Sequence, residues 1–205
     1  MTDLVILKKL FNKEQFDSFD PKDKIFALLS SEVYNAPFAR SDIEDYKYLS
    51  IYSNNDVGVW VNEDDEGIIS IKGTNNINDL IKDVKISLDR HPMKNFERIS
   101  RNILKIRTTL TNIRFKLTGH SLGGLRVMFH ASKYRGSGVV FNPFIPNIGF
   151  KIINMITETP GIKKYTIIGD PLSNNIAKIP NEDSVKVLSI PNVGLLNKHG
   201  IKSYL

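Results

Sequence analysis

The sequence predicts an α/β fold in which helices flank a mostly parallel central sheet, and three observations support that prediction. Short β-rich runs alternate with helical stretches over most of the 205 residues, an order typical of parallel sheets. Hydrophobic residues make up 41% of the chain, as in a globular protein that buries a sizeable core. No internal repeat, low-complexity tract or linker divides the chain, so residues 1–205 are assigned to one domain.

The helices are predicted from capping residues and apolar spacing. Residues 1–45 are expected to form an N-terminal helical segment, in which Asp20 is a candidate N-cap and Pro21 the first helical residue. The clearest amphipathic helix spans 93–110, because apolar residues recur there every three or four positions. Further helices are expected at 122–134 and around 148–157.

The strands are predicted from short runs rich in β-branched and aromatic residues. Two runs joined by "NND" are typical of a hairpin, and "GIISIKG" is typical of a buried strand. Later runs follow the predicted helices, as expected for parallel strands linked by crossovers. In chain order the predicted strands occupy residues 46–53, 57–63, 67–73, 114–119, 138–143, 164–170 and 185–191.

Composition excludes several classes of protein and site. The chain has no cysteine, so it has neither disulfides nor thiolate metal sites, and no apolar run approaches the roughly 20 residues that span a bilayer. "MTDLVILKKLF" lacks the features of a signal peptide, which leads us to expect a cytoplasmic protein. The net charge of +6 is scattered, without a nucleic-acid-binding motif, and is compatible with transient contact with a lipid or membrane surface. Oligomeric state is not indicated by any pattern.

The motif "GHSLG" at 119–123 is Gly-x-Ser-x-Gly, and its surroundings predict a nucleophile elbow. A strand is predicted before Ser121 and a helix after it, which is the context that this motif requires. Glycines flank the serine because a side chain there would collide with the neighbouring strand and helix. The turn exposes the Ser121 hydroxyl and presents the Leu122 amide at a helix N-terminus, where an oxyanion could be stabilised.

A nucleophilic serine needs a base, and His199 is the best candidate. In this architecture the histidine follows the acid in the chain, on the loop after the last strand, where His199 lies. His130 belongs to the helix after the elbow and is expected to be a structural or surface histidine. His120 is expected to pack below the elbow. His91 precedes the serine and is a weak candidate.

The acid is predicted to be Asp170, which directly follows an apolar strand. Catalytic groups of open α/β sheets gather at the carboxyl ends of the strands, and a carboxylate there would orient the imidazole. Asp183 is a reserve candidate, although it precedes a strand. The loop after strand 67–73 is expected to supply a second oxyanion donor, the amide of Thr74.

These pieces resemble the class 3 lipases, the fungal-lipase-like branch of the α/β-hydrolases. The resemblance rests on "GHSLGG", "IISIKGTNNINDLIKDV", "VVFNP", "GDPLSNNIAKIP" and "HGIKSYL", in the family's order, and covers a catalytic core over residues 65–205. It implies a triad of Ser121, Asp170 and His199, with oxyanion donors at Thr74 and Leu122. It also implies no metal or organic cofactor, and ester substrates that are often lipids.

The chain departs from the family at two positions, where Lys72 replaces the usual arginine and Leu80 a common tryptophan. The resemblance suggests that residues 75–95 are a lid, whereas a packed crossover helix fits the pattern equally well. The expected function is cleavage of carboxylic esters, most often lipid esters, through an acyl-enzyme. A thioesterase or acyltransferase with the same triad, and a catalytically inactive lipid- or protein-binding module, remain as alternatives.

Overall fold

The computed structural model describes residues 16–74, 92–144, 159–167 and 185–188 of the chain. Within them lies a sheet whose strands follow one another side by side in chain order. The strands are Lys47–Tyr48 (β1), Val57–Val61 (β2), Glu66–Ile71 (β3), Arg114–His120 (β4), Gly138–Phe141 (β5), Ile162–Ile167 (β6) and Val185–Leu188 (β7). β1, β2 and β3 pair antiparallel, and the pairs from β3 to β7 are parallel. The predicted α/β fold with a mostly parallel sheet is therefore confirmed.

Helices cover both faces of this sheet. Lys24–Glu32 (α1) packs on one face, where its leucines join Ile68 and Phe141 in one core cluster. Pro92–Thr109 (α2) and Leu122–Tyr134 (α3) pack on the other face, where the second cluster includes Ile69. Successive strand residues thus point into different clusters, as the pleat of a strand requires.

The long amphipathic helix was predicted within one residue of its observed ends, because its apolar positions repeat without interruption. Ile99, Ile103 and Ile106 of α2 are buried in the core. Phe96 meets Phe129 of α3 edge to face, with ring centroids 5.4 Å apart. Helices α2 and α3 therefore form one layer against the sheet.

The predicted hairpin is only partly formed. β2 pairs with β3 over the full length of β2, but β1 is two residues long. The residues that were expected to extend β1 form a 3-10 turn at Ser50–Tyr52. The Leu49 amide donates to the Val59 carbonyl at 2.9 Å, so the chain stays beside β2 without continuing the ladder.

The start of α1 also differs from the prediction. Pro21 opens a 3-10 turn, Pro21–Asp23, and the Asp20 side chain makes no capping hydrogen bond. The Asp20 carboxylate instead pairs with Lys163 of β6, whose ammonium also lies 2.5 Å from Asp23. The Tyr165 hydroxyl donates to Asp23 at 2.8 Å and accepts from the Asp20 amide at 3.1 Å. This polar cluster fastens the N-terminal layer to β6.

A buried arginine organises the chain between α1 and β2. Arg40 donates to the carbonyls of Val33, Asn35, Asn54 and Val57 at 2.8–3.1 Å, and only 7% of its surface is exposed. Each of these carbonyls lies in a turn or at the end of an element. One guanidinium therefore links the backbone at residues 33–35 to the backbone at residues 54–57.

Candidate functional site

Ser121 occupies the sharp turn between the central strand β4 and helix α3. Its backbone has φ 55° and ψ −125°, a conformation that non-glycine residues rarely adopt and that costs on the order of 1–3 kcal/mol. Three hydrogen bonds hold the turn. The Ser121 amide donates to Phe141 at 3.1 Å, and its carbonyl accepts from Leu125 at 3.2 Å and Phe144 at 3.0 Å. The surrounding chain thus imposes a strained backbone at the predicted nucleophile.

The glycines of the motif allow backbone to approach backbone. A Cβ on Gly123 would lie 2.1 Å from the Ile71 carbonyl oxygen, and one on Gly119 would lie 2.6 Å from the Gly123 carbonyl carbon. Carbon and oxygen atoms normally approach no closer than about 3.3 Å. A side chain at Gly123 would therefore separate the turn from β3, and one at Gly119 would separate the start of α3 from β4.

The same close contact brings the end of β3 to the serine turn. A Cβ on Gly73 would lie 3.3 Å from the Gly123 amide nitrogen and 2.7 Å from the His120 carbonyl oxygen, and Thr74 is the next residue. Leu122 begins α3, and the first amides of a helix have no partner within it. The positive end of the helix dipole adds to their attraction for an anion. The structure thus brings Ser121, Leu122 and the Gly73–Thr74 segment together.

A buried arginine on α3 holds this segment from behind. Arg126 is 8% exposed, and its Nη1 donates to the Lys72 carbonyl at 2.8 Å. The Lys72 amide donates to the Asp56 carbonyl at 2.9 Å, so the backbone beside Thr74 is fixed from two directions. Sequence reasoning did not single out Arg126. The pattern that could have identified Arg126 is a basic residue among apolar neighbours inside the predicted helix 122–134.

Tyr34 supports the segment from the N-terminal layer. Burial raises the pKa of the Tyr34 hydroxyl, while a hydrogen bond with the Gly73 backbone and the nearby Arg126 charge act to lower it. Burial prevails, so Tyr34 stays neutral. Lys72, at the position where the family usually has arginine, donates to the Tyr34 carbonyl at 3.3 Å.

The described histidines lie away from a catalytic position. His120 is 3% exposed and packs against Tyr34, with ring centroids 6.4 Å apart, in agreement with its expected place below the elbow. His130 is fully buried on α3, beside Tyr134. Of the two alternatives that the sequence left open, a structural or a surface histidine, its burial supports the structural one. Burial, and secondarily the Arg107 charge, lowers the pKa of His130 to about 4.

Several predicted residues fall outside the part of the chain that the structure describes. They are Asp170, His199, the reserve acid Asp183, the weak candidate His91 and residues 75–91 of the suggested lid. Among the described residues, no group of three or more acidic or histidine side chains could hold a metal ion. None of the described helices combines the length and apolarity that a bilayer crossing requires.

Solved structures that resemble the chain include fungal lipases. A lipase–propeptide complex from Rhizomucor miehei matches with a TM-score of 0.50 and 17% identity, over 80% of this chain and 64% of that one. A mono- and diacylglycerol lipase from Aspergillus oryzae matches with a TM-score of 0.40 and 14% identity, over 86% of this chain and 71% of that one. No protein-family model and no curated protein sequence matches the chain. The chain therefore shares the fold of the Rhizomucor miehei structure and spans 64% of the length of that protein.

Proposed function

We propose that the chain is a serine hydrolase that cleaves carboxylic esters, with lipid esters as its main substrate class, and that it is related to the class 3 lipases. The observation that carries this proposal is the backbone of Ser121. Its conformation, φ 55° at the junction of a central strand and a helix, is one that residues other than glycine rarely adopt. Such strain persists where it directs a reactive group, and here it lies beside the Leu122 amide and the Gly73–Thr74 segment.

The proposed reaction proceeds through an acyl-enzyme. His199, oriented by Asp170, takes the proton from Ser121 as the hydroxyl oxygen attacks the ester carbonyl. The amides of Leu122 and Thr74 bind the oxyanion of the tetrahedral intermediate. His199 then donates the proton to the leaving alcohol. Water, activated by the same histidine, releases the acid and restores Ser121.

Transient contact with a lipid surface is part of this proposal, because lipid esters are presented in aggregates. The net charge of +6 favours approach to an anionic surface through long-range attraction. Residues 75–91 of the suggested segment would act as a lid over the site, since residues 92–95 belong to α2.

The test is labelling of the purified protein with a fluorophosphonate probe, which reacts with activated serines. Wild type should be labelled, and Ser121→Ala and His199→Ala should not. Ser132→Ala is the matched control, because Ser132 lies on the same helix and its hydroxyl only donates to the Phe129 carbonyl at 2.9 Å. Absence of labelling in folded wild type, with detergent or lipid present, would contradict the proposal and favour a binding module.

The substrate class is tested with matched oxygen esters and thioesters of increasing acyl length, in water and in lipid vesicles. Faster turnover of long-chain oxygen esters is expected. Preference for thioesters, or acyl transfer to an added alcohol in place of water, would assign the same serine to a thioesterase or an acyltransferase.

A further inference from the structure

A second strained turn lies beside Ser121, at the end of β5. Asn142 has φ 39°, and only 2% of its surface is exposed. This left-handed conformation is uncommon for residues other than glycine. It is also unexpected before Pro143, because a residue that precedes proline normally adopts extended backbone. Contacts with the rest of the fold therefore impose it.

Hydrogen bonds connect this turn to the serine turn and to β6. The Ser121 amide donates to the Phe141 carbonyl at 3.1 Å, just before the strained residue. The Phe144 amide, two residues after it, donates back to the Ser121 carbonyl at 3.0 Å. The Asn142 amide itself donates to the Tyr165 carbonyl at 2.7 Å. The turn therefore holds both backbone groups of the serine.

The same turn carries the chain from one face of the sheet to the other. Phe141 belongs to the core cluster on the side of α1, and Phe144 belongs to the cluster on the side of α2 and α3. Between them, Pro143 packs against the first turn of α3, since a Cβ on Gly124 would lie 2.9 Å from the proline Cβ. The chain crosses within three residues, and a left-handed residue permits so short a path.

We propose that Asn142 is a positioning residue for Ser121. Its left-handed backbone directs the Phe144 amide to the Ser121 carbonyl and so fixes the turn that presents the serine hydroxyl. Asparagine suits this position, because it is among the few residues other than glycine that tolerate such a conformation. The inference rests on the proposed function, in which Ser121 is the nucleophile. It assigns to Asn142 no contact with the substrate.

Asn142→Ala should slow the chemical step. Alanine disfavours positive φ, so the turn should relax towards extended backbone and withdraw the Phe144 amide from Ser121. A displaced nucleophile affects the transition state more than the bound substrate. The rate of fluorophosphonate labelling and kcat for a soluble ester should each fall about tenfold, whereas KM should change by less than about twofold.

Asn142→Gly separates the role of the backbone from that of the side chain. Glycine adopts positive φ without strain, so this variant loses the amide group, keeps the turn and should label at nearly the wild-type rate. Asp65→Ala is the matched control, because Asp65 has φ 58° between β2 and β3, at the opposite edge of the sheet. Alanine there introduces comparable strain, which should lower the urea midpoint and leave labelling unchanged.

Hydrogen exchange followed by NMR gives a readout that does not require activity. In Asn142→Ala the Phe144 amide should exchange at least about tenfold faster than in wild type, because it loses its acceptor. The Leu125 amide donates to the same Ser121 carbonyl from α3 at 3.2 Å and should exchange as in wild type. In Asn142→Gly both amides should keep their wild-type rates.

The inference is overturned if Asn142→Ala labels at the rate of Asp65→Ala, or if KM rises as much as kcat falls. It is also overturned if Asn142→Gly loses as much activity as Asn142→Ala, since the side chain would then matter in place of the turn. Folded wild type that is not labelled would instead overturn the proposed function, and the exchange of Phe144 would then decide whether Asn142 positions Ser121. If Asn142→Ala does not fold, Asn142→Ser carries the test with the same expected direction, because serine tolerates positive φ less well than asparagine.

Discussion

Gly123→Ala tests whether close backbone contact builds the serine turn. The added Cβ would lie 2.1 Å from the Ile71 carbonyl oxygen and 3.0 Å from the Gly73 amide nitrogen. Against an ordinary carbon–oxygen approach of about 3.3 Å, α3 and β3 must separate by about 1 Å. Both contacts are backbone atoms, so neither can turn aside as a side chain would. The separation would move the Leu122 amide relative to the Gly73–Thr74 segment.

Two measurements follow from this displacement. The free energy of unfolding in urea should fall by about 1–3 kcal/mol, as for overpacked interiors. The rate of fluorophosphonate labelling at Ser121 should fall about 100-fold, since a misplacement of about 1 Å has that effect on a catalytic arrangement. The first result tests the packing, and the second tests the proposed chemistry.

Gly136→Ala is the matched control. Its Cβ would approach the terminal methyl group of Leu117 at 2.9 Å, and a leucine side chain can turn aside. Both its stability and its labelling rate should therefore stay close to wild type. The reasoning is refuted if Gly123→Ala unfolds within about 0.5 kcal/mol of wild type and labels at the wild-type rate.

Three other predictions concern buried polar groups. Folded His130 has a pKa below the unfolded value of 6.5, so the unfolded state binds a proton first as the pH falls. The free energy of unfolding, measured in urea, should therefore fall by about 2–3 kcal/mol from pH 6.5 to pH 4.5. The His130→Leu variant should not show this loss. Arg126→Met should lower kcat of ester cleavage about tenfold and leave KM nearly unchanged, because the Lys72 carbonyl loses its donor; an equal change in KM would contradict a positioning role. Arg40→Met should lower the free energy of unfolding, measured by heat or urea, by about 3 kcal/mol or more, because buried carbonyls lose their donor. Loss of the exposed Lys47 side chain should lower it by less than about 0.5 kcal/mol. Equal losses would contradict a structural role for the Arg40 hydrogen bonds.

Local patterns predicted the elements that local physics determines. The amphipathic spacing of 93–110 identified α2, and glycines around Ser121 identified the turn before its strained φ was known. β1 was overestimated because a run of β-forming residues does not reveal a 3-10 turn. Asp20 is a residue type that often caps helices, but its carboxylate pairs with Lys163, 143 residues away, and makes no bond to the helix amides.

The residues that hold the candidate site in place could not be predicted from the sequence, because their contacts also join distant parts of the chain. Arg126 and Lys72 are 54 residues apart, and their hydrogen bond exists only once α3 lies against the end of β3. Arg40 likewise joins carbonyls from two segments, residues 33–35 and 54–57, that have no shared motif. A buried cation in an apolar stretch signals that a partner exists, without identifying it.

The strand order bears on how the protein assembles. Each strand from β2 to β7 pairs with the strand that precedes it in the chain, so each pairing closes a comparatively short loop. The sheet can therefore form from the N-terminal strand onward, in the direction of synthesis. The contacts of Lys163 with Asp20 and Asp23 break that sequence, since they span 143 and 140 residues. We expect them to form after the rate-limiting step. Lys163→Met should then speed unfolding in stopped-flow experiments and leave the folding rate unchanged. Slower folding would instead show that the contacts of Lys163 with Asp20 and Asp23 belong to the folding nucleus.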